Sequence, residues 1–320
     1  MFGAGGESMT QYYPSPREIL ADALLTESVD TMFGTHSTRH ASFAALAKAP
    51  TPATVWEAIH GVMEQMHYFH LNDPELEQYA TSAEVEAVRT GLAELGISAE
   101  WSAPFAPERQ RIVQMKHNDE PLPDADPYPG DPRPRLVEFM ADARRPYGVW
   151  WTPPLTYQVQ QTSSPLPTLP ASDLLGGEDD FSAAIANVRP ALRATGDLTV
   201  MEVDSVADWL DLVRSAPVDV TRSRERNWGM LEPGLRWVIP DWAALAERYD
   251  AIHLTVNGYL DLSCVPIETA PGERTMVVGW GPEETYWLRE PKLEWGEQFR
   301  AYRYGPASWG RTPEESDSLA

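Results

Sequence analysis

The chain contains very little cysteine: Cys264 is its only one in 320 residues. A single thiol cannot form a disulfide within the chain, and it cannot build a zinc site from several cysteines. The sequence also lacks any run of about 18 apolar residues, which excludes a membrane-spanning helix. Its first residues have neither the basic start nor the apolar centre of a secretory signal. We therefore expect a cytoplasmic protein.

Basic residues are scarce as well. Lysine and arginine number 25 against 48 acidic residues, and the net charge is −23. The electrostatic field of this negative charge repels polyanions and keeps a protein soluble, so we expect no non-specific nucleic-acid binding. A mimic of nucleic acid would need long acidic runs, and only residues 178–180 approach one. The composition indicates an ordinary acidic protein.

Several catalytic signatures are missing. The sequence has no Gly-x-Ser-x-Gly, no P-loop, no Gly-x-Gly-x-x-Gly and no His-Glu-x-x-His. These absences remove the motif-based case for a serine hydrolase, a P-loop or Rossmann nucleotide site, and a zinc protease. Cys264 lies in an apolar stretch and is expected to pack rather than react.

Hydrophobic periodicity divides the chain into two main parts. Residues 1–16 are expected to be a disordered tail, and residues 17–105 a helical unit. The second helix of this unit carries an apolar stripe at a four-three spacing. Ser82 is the expected N-cap of the third helix, and Gly96 its stop. The predicted helices are 17–29, 53–70 and 82–95.

The pattern changes after residue 105 to short strands mixed with helices. We predict an α+β domain over residues 106–305, followed by a tail over 306–320. Asn257–Gly258 is typical of a tight hairpin turn, and Pro240 of the first residue of a helix. The predicted strands are 110–116, 148–152, 198–203, 251–256, 275–280 and 285–288. The predicted helices are 134–143, a helix capped by Asp204 or Ser205 that runs through Arg214, and 240–249.

One helix carries a possible metal motif. Glu57, His60, Glu64 and His67 form two Glu-x-x-His units, the spacing used by di-iron bundles. At 100° per residue these side chains fall roughly opposite the apolar stripe. The pattern therefore favours a solvated face without a metal. A metal-dependent enzyme that uses this helix remains an alternative.

The most informative segment is residues 144–157, RRPYGVWWTPPLTY. Two arginines precede a short β-prone aromatic run that prolines end at once. Side chains alternate along a strand, so one of Trp150 and Trp151 should face the core and the other a ligand. An aromatic ring suits a flat ligand, and arginines suit phosphates. Arginines are densest at Arg222, Arg224 and Arg226.

The order of these features resembles the His–Tyr–Glu class of ADP-ribosyltransferases. His117 ends the first strand, GlyValTrpTrpThrPro is similar to that family's second strand, and Glu283–Glu284 begin a late strand. The GlyValTrpTrpThrPro segment and two later ones, TyrAspAlaIleHisLeuThr and GlyTrpGlyProGluGluThrTyrTrpLeu, are also similar to proteins of actinobacteria and their phages. The family's His is normally followed by Gly and Thr or Ser, whereas Asn118 and Asp119 follow His117, and tryptophan stands where the family has tyrosine.

The resemblance implies an ADP-ribosyltransferase-like fold with NAD as substrate. Glu284 would be the catalytic carboxylate, with Glu283 as its substitute, and it would stabilise the oxocarbenium ion. His117 would hold a ribose. Nicotinamide would stack on Trp150, Trp151 or Tyr157, and the pyrophosphate would bind Arg144 and Arg145 or the arginines at 222, 224 and 226. His253, inside an apolar strand, is expected to be a hydrogen-bonded core residue.

The acceptor of such an enzyme stays open between a protein, a nucleic acid and a small molecule. A further alternative is a non-catalytic binding or inhibitor protein, of phage or actinobacterial origin, that retains the enzyme fold. Loss of the ribose-binding histidine would favour that alternative, and nicotinamide release from NAD would favour the enzyme.

Overall fold

The computed structural model describes most of the chain after residue 14. The described residues are 15–31, 34–39, 50–65, 81–116, 121–154, 158–170, 172, 185–305 and 308–311. Among the residues predicted to form the site, His117 and Tyr157 lie outside these ranges.

Eight α-helices lie within the described ranges. They are Pro16–Leu25 (α1), Pro52–Gln65 (α2), Ser82–Glu94 (α3), Arg133–Ala143 (α4), Val206–Ser215 (α5), Trp228–Leu231 (α6), Trp242–Leu245 (α7) and Val256–Leu262 (α8). Each of these helices is too short or too polar to cross a bilayer.

Local capping fixes the ends of α3 much as its sequence indicates. The N-cap is Thr81 rather than Ser82, because the Thr81 side chain and Glu84 form a reciprocal capping box. Gly96 ends the helix with a left-handed φ of 71°. The prediction for α1 was too long: the helix stops at Leu25, and residues 26–31 are a strand.

The three N-terminal helices bury one face each. The apolar stripe of α2 is buried at Val55, Ile59 and Val62, and Glu57 on the other side is exposed. The side chains of His60 and Glu64, and all of His67, lie outside what the structure describes. The buried residues of these helices share one core cluster with those of the α+β part.

Fifteen strands are described, and they confirm a mixed α+β architecture. They are Thr26–Thr31 (β1), Gly34–Arg39 (β2), Arg111–Met115 (β3), Gln160–Ser163 (β4), Ile185–Ala194 (β5), Val200–Val203 (β6), Pro217–Asp219 (β7), Arg236–Pro240 (β8), Ala251–Leu254 (β9), Ile267–Ala270 (β10), Glu273–Thr275 (β11), Glu284–Trp287 (β12), Leu293–Trp295 (β13), Phe299–Gly305 (β14) and Ser308–Gly310 (β15).

The strands form three sheets. The largest has nine strands in the order β15-β14-β5-β3-β4-β12-β9-β6, and β13 also pairs with β5. A four-stranded sheet follows the order β10-β11-β8-β7, and β1 pairs with β2. In the large sheet β9 runs parallel to β6 and antiparallel to β12, so three segments far apart in sequence meet there.

The predicted hairpin at Asn257–Gly258 was wrong. Thr255 caps a helix instead: its side chain accepts a hydrogen bond from the Gly258 N–H, and α8 follows. Gly258 lets this helix approach β6 closely, because a Cβ there would overlap the carbonyl oxygen of Val203. The close packing of α8 on β6 therefore outweighed the tendency of the Asn-Gly pair to form a hairpin turn.

Four other element predictions also needed correction. Pro240 ends β8, and the helix after it covers only Trp242–Leu245 with Asp241 as N-cap. Of residues 275–280, Thr275 ends β11 and Val277 forms an isolated bridge with Ser263, and the others lie in no strand. The predicted C-terminal tail contains β15. The aromatic run 148–152 forms no strand either, and instead Thr152 hydrogen-bonds Val278 and Met276.

Tryptophan dominates the centre of the protein. Trp280 makes edge-to-face contacts with Trp209, Trp242 and Tyr286 at centroid distances of 6.4, 5.8 and 5.4 Å. All three tryptophans are fully buried. Buried aromatic rings remove large apolar areas from water, so this group anchors α5, α7 and β12 on one another.

We predict opposite effects for alanine at two helical glycines. Gly258→Ala should lower the free energy of unfolding by about 1–3 kcal/mol or more, because its methyl group meets the backbone of β6. Gly61→Ala, in the middle of α2 with nothing within 4 Å, should raise it by about 0.5–1 kcal/mol. Urea unfolding of both variants checks this. A stabilised Gly258→Ala protein would contradict the close packing of α8 on β6.

Candidate functional site

The candidate site forms where β9 lies between two neighbouring strands. His253 in β9 is the register partner of Glu202 in β6 and of Thr285 in β12. Register partners on adjacent strands point to the same face, so these three side chains come together. His253 is 1% exposed, and its Nδ1 shares a 3.0 Å hydrogen bond with Thr285 Oγ1. The expectation that His253 is a hydrogen-bonded buried residue is confirmed.

Glu283 reaches the same face from the turn before β12. Its backbone has a φ of +61°, which a non-glycine residue adopts only at a cost. Two hydrogen bonds hold this conformation: Glu283 N–H donates to Leu254 at 2.8 Å, and Glu283 C=O accepts from Ser164 at 3.0 Å. The residue is 2% exposed. Strained backbone around a buried polar residue is a feature that clusters at functional sites.

Three polar atoms face one another inside this cluster, which we call the Glu–His–Glu cluster (Glu202, His253 and Glu283). His253 Nε2 lies 3.8 Å from Glu283 Oε1 and 3.9 Å from Glu202 Oε2. These separations exceed hydrogen-bonding distance. All three atoms are buried and have no hydrogen-bond partner within the described part of the chain. Buried polar atoms are nearly always paired, so three together need an explanation.

Burial sets the protonation of the cluster. It raises the pKa of Glu283 to about 8, against the opposing effects of Arg109 and a hydrogen bond from the Val256 N–H. It also raises the pKa of Glu202, opposed by a hydrogen bond from the Phe105 N–H. Burial and the positive Arg109 lower the pKa of His253 to about 3. His253 is therefore neutral near pH 7, and its contacts with the two carboxyl groups are not ion pairs.

The cluster is closed at one end and open at the other. Glu283 lies at the buried end, where its side chain is 3% exposed, whereas the side chain of Glu202 is 34% exposed. The ring of Phe105 packs edge-on against His253 at 6.0 Å and against Trp287 at 5.8 Å. Glu202 thus connects a desolvated carboxyl group and imidazole to the surface.

A hydrogen-bonded chain supports the neighbouring strands. Trp287 Nε1 donates to Thr162 Oγ1 at 2.9 Å, and Thr162 donates to Gln110 Oε1 at 2.5 Å. Gln110 Nε2 then donates to Ser164 Oγ at 2.9 Å. These buried polar groups satisfy one another, in contrast to the cluster beside them.

The structure separates the two predicted catalytic carboxylates. Glu283 points into the cluster, whereas Glu284 Oε2 accepts a 2.8 Å hydrogen bond from the Gly281 N–H and closes the turn before β12. Glu283, the substitute in the sequence prediction, is the one in a desolvated environment. In the described ranges no group of three or more His, Cys, Asp or Glu side chains is arranged to hold a metal ion.

The five predicted phosphate-binding arginines occupy different environments. Arg145 pairs with Asp142 at 2.6 Å, and Arg226 stacks over the ring of Tyr147 at 3.9 Å. Arg224 is fully buried and donates to the Trp151 carbonyl at 2.8 Å; burial lowers its pKa to about 9. Arg144 and Arg222 line one common cleft together with Arg236.

The expected alternation of Trp150 and Trp151 is not observed. Both rings are half-buried, pack against the main core and meet edge to face at 5.6 Å. Their segment is not a strand, so the rule that side chains alternate across a sheet does not apply to it. Trp151 also packs against Gly279, where a Cβ would come within 2.9 Å of the Trp151 Cβ.

Sequence reasoning missed Glu202 and His253 as a functional pair. The available signal was one polar residue inside each of two apolar strands, ValMetGluVal and AlaIleHisLeu. Only the register of β6 on β9 shows that these two residues are neighbours. Comparison with protein-family models, with curated proteins and with solved structures found no match for this chain.

We predict that Glu283 makes the protein less stable as pH rises. Its folded pKa of about 8 lies above its usual 4.5, so the folded state keeps a proton that the unfolded state loses. Stability from this group is complete below about pH 4.5 and declines up to about pH 8, by at most about 1.4 kcal/mol per pH unit. Glu283→Gln should remove that decline.

Urea unfolding at pH 5, 6.5 and 8 measures the effect. The difference in unfolding free energy between Glu283→Gln and wild type should grow in favour of the variant as pH rises. Glu290→Gln, at an exposed carboxyl group, controls for the loss of one negative charge. A difference that stays constant across the three pH values would show that Glu283 is not held protonated.

Proposed function

We propose that the protein is an ADP-ribosyltransferase-like enzyme that cleaves the bond between nicotinamide and ribose in NAD, with Glu283 as its catalytic carboxylate. The observation that carries this proposal is the Glu–His–Glu cluster, with three buried, mutually facing polar atoms that lack partners among the described residues. Groups of this kind, with pKa values displaced by burial, are typical of active sites.

The reaction needs a negative charge beside a developing cation. When the carbon–nitrogen bond breaks, its electron pair leaves with nicotinamide, and an oxocarbenium ion remains on the ribose. A desolvated carboxylate stabilises that cation more strongly than a solvated one, because no reorganising water screens the charge. A nucleophile from the acceptor then bonds to the ribose carbon and loses its proton.

Glu283 is mostly protonated in the free protein at neutral pH. The positively charged nicotinamide ring of NAD favours the ionised form of a nearby carboxyl group. Substrate binding therefore releases the proton of Glu283. The proton leaves towards the exposed end of the cluster, where the side chain of Glu202 is 34% exposed.

The position of Glu283 in the chain supports the same proposal. It immediately precedes a late strand, as the essential glutamate does in the family that the sequence resembles. The proposal does not depend on Arg145, Arg224 or Arg226, which are engaged elsewhere. The acceptor stays open between a protein, a nucleic acid and a small molecule.

The decisive experiment compares two adjacent glutamates. We expect Glu283→Gln to reduce nicotinamide release from NAD by roughly a hundredfold or more, because it removes the charge that stabilises the oxocarbenium ion. Glu284→Gln, which changes a turn contact, should keep most of the activity. Both variants are assayed with and without cell lysate as a source of acceptor, after their folding is confirmed by circular dichroism. Equal activity of Glu283→Gln and wild type would refute the proposal.

The pH dependence of turnover gives a second prediction. The ratio kcat/KM reports ionisation of the free enzyme, so it should rise with pH and level off above about 8 as Glu283 loses its proton. In the complex the cationic substrate lowers the pKa of Glu283, so kcat should level off at a lower pH. Initial rates between pH 5.5 and 9.5 measure both profiles. A kcat/KM that falls over this range would contradict a catalytic carboxylate.

A further inference from the structure

A pocket lies between the N-terminal helices and the carboxyl end of a strand of the nine-stranded sheet. Its volume is about 430 Å³, which is within the range of roughly 300–1,000 Å³ that is usual for small-molecule sites. Residues of α1, α3 and α8 form its walls, and Asp204, directly after β6, lines it as well. We call it the Asp204 pocket.

Part of the lining is apolar. The N-terminal helices contribute Leu20, Val85, Val88 and Leu92, and Trp101 follows them in the chain. All of these except Val85 are at most 3% exposed and belong to the main core, so this wall is firmly packed from behind. An apolar wall beside a few polar groups is the usual composition of a ligand site. An indole ring is also the aromatic surface that attracts cations most strongly.

The charged residues of the pocket leave one carboxylate without a cation. Arg17 pairs with Asp261 at 2.5 Å, and Arg89 pairs with Glu86 at 2.6 Å. Asp204, the remaining charged residue of the described lining, forms no ion pair within the described part of the chain. Three carboxylates against two guanidinium groups give this lining an excess of one negative charge. The excess is located on Asp204.

Two hydroxyl groups fix the direction of the Asp204 carboxylate. Thr255 donates to its Oδ1 at 2.6 Å, and Ser102 donates to its Oδ2 at 3.0 Å. Ser102 is itself held by Asn257, whose Nδ2 donates to it at 2.5 Å. An ionised carboxylate has about four acceptor positions, and these two hydrogen bonds occupy only two of them. Asp204 is therefore preorganised and can still accept from a further donor.

The pocket adjoins the Glu–His–Glu cluster. Glu202 and His253 are register partners in the parallel strands β6 and β9. Asp204 and Thr255 follow them by two residues each, and the hydrogen bond between these two continues the pairing past the strand ends. Burial raises the pKa of Glu202, and the negative charge of Asp204 raises it further. In open α/β sheets ligands bind outside the carboxyl ends of parallel strands, which is where Asp204 lies.

We propose that the Asp204 pocket binds a small organic cation, with an ammonium group of the ligand on the Asp204 carboxylate and its apolar body against Leu92 and Trp101. Hydrogen bonds between an ammonium and a carboxylate are strengthened by both charges. Removal of the apolar body from water adds to the affinity. Both arginines of the lining are already paired with carboxylates, so the pocket offers an anion no unpaired cation.

This site does not rest on the function proposed for Glu283. Its walls come from the N-terminal helices and α8, and occupation of the pocket requires no NAD. The inference also gives the N-terminal helical unit a role beyond covering the core, because α1 and α3 supply the apolar wall.

The test is calorimetric titration of the full-length protein with two primary amines, phenethylamine and hexylamine, at neutral pH and low ionic strength. Each amine is compared with the alcohol that has the same apolar body, phenethyl alcohol or hexanol. We expect each amine to bind roughly tenfold or more tightly than its alcohol, because only the amine forms charged hydrogen bonds with Asp204. Failure of both amines to bind, or equal affinity of amines and alcohols, overturns the proposal.

Two variants locate the binding site. Asp204→Asn should weaken binding of the amines roughly ten- to a hundredfold and leave the alcohols unaffected, since it removes the charge and keeps the shape. Its matched control is Asp211→Asn, at an exposed aspartate of α5 outside the pocket, which should bind as wild type does. Ala93→Leu, at an exposed position of α3 in the lining, should weaken amines and alcohols alike by filling space. Ala83→Leu, exposed on α3 outside the pocket, is the control for that change.

Circular dichroism and melting temperatures check the folding of each variant. If Asp204→Asn does not fold, Ala93→Leu decides, because a leucine at an exposed helical position is well tolerated. Amine binding that is unchanged in the folded pocket variants, or weakened as much in their controls, contradicts the assignment. The titrations contain no NAD, so their failure and a failure of Glu283 to act in NAD cleavage are separate results.

Discussion

The pairing of β9 with β6 on one side and β12 on the other is the constraint on which the interior depends. It places Ile252 and Leu254 in the main core and presents His253 to the opposite face. The parallel register with β6 sets Glu202 beside His253, and the antiparallel register with β12 sets Thr285 there. A slip of one residue in either register would send these side chains to the wrong face.

Burying such groups is costly, and the apolar core around them must offset that cost. A carboxyl group removed from water is stable only if it keeps its proton or gains partners. Glu283 keeps its proton over most of the neutral range, and the unusual backbone of this residue is fixed by two strand-end hydrogen bonds. The fully buried tryptophans of the protein supply apolar burial on a scale of about 2 kcal/mol or more for each large side chain. The protein can therefore maintain a desolvated polar cluster within a stable fold.

Tertiary contacts also gave different roles to residues that are alike in sequence. Glu283 and Glu284 are neighbours in the chain, yet the first is desolvated and the second closes a turn. Arg222, Arg224 and Arg226 alternate over five positions, yet they end in a cleft, in the core and on a tyrosine ring. Composition and spacing cannot distinguish the two glutamates or the three arginines from one another, because they do not show which of these residues is buried.

Local signals in the sequence were sufficient wherever an element is stabilised by its own residues. The apolar stripe of α2, the glycine stop of α3, the Ser205 cap of α5 and the β-branched run of β3 determined those elements and the mixed α+β class. Packing between distant segments decided the rest. Gly258 lies in a helix that packs so closely on β6 that a Cβ would not fit there. The aromatic run 148–152 is tied to residues 276 and 278 instead of joining a sheet. The Glu–His–Glu cluster exists only through strand register, and register depends on which faces the whole core buries, a property that no single segment carries.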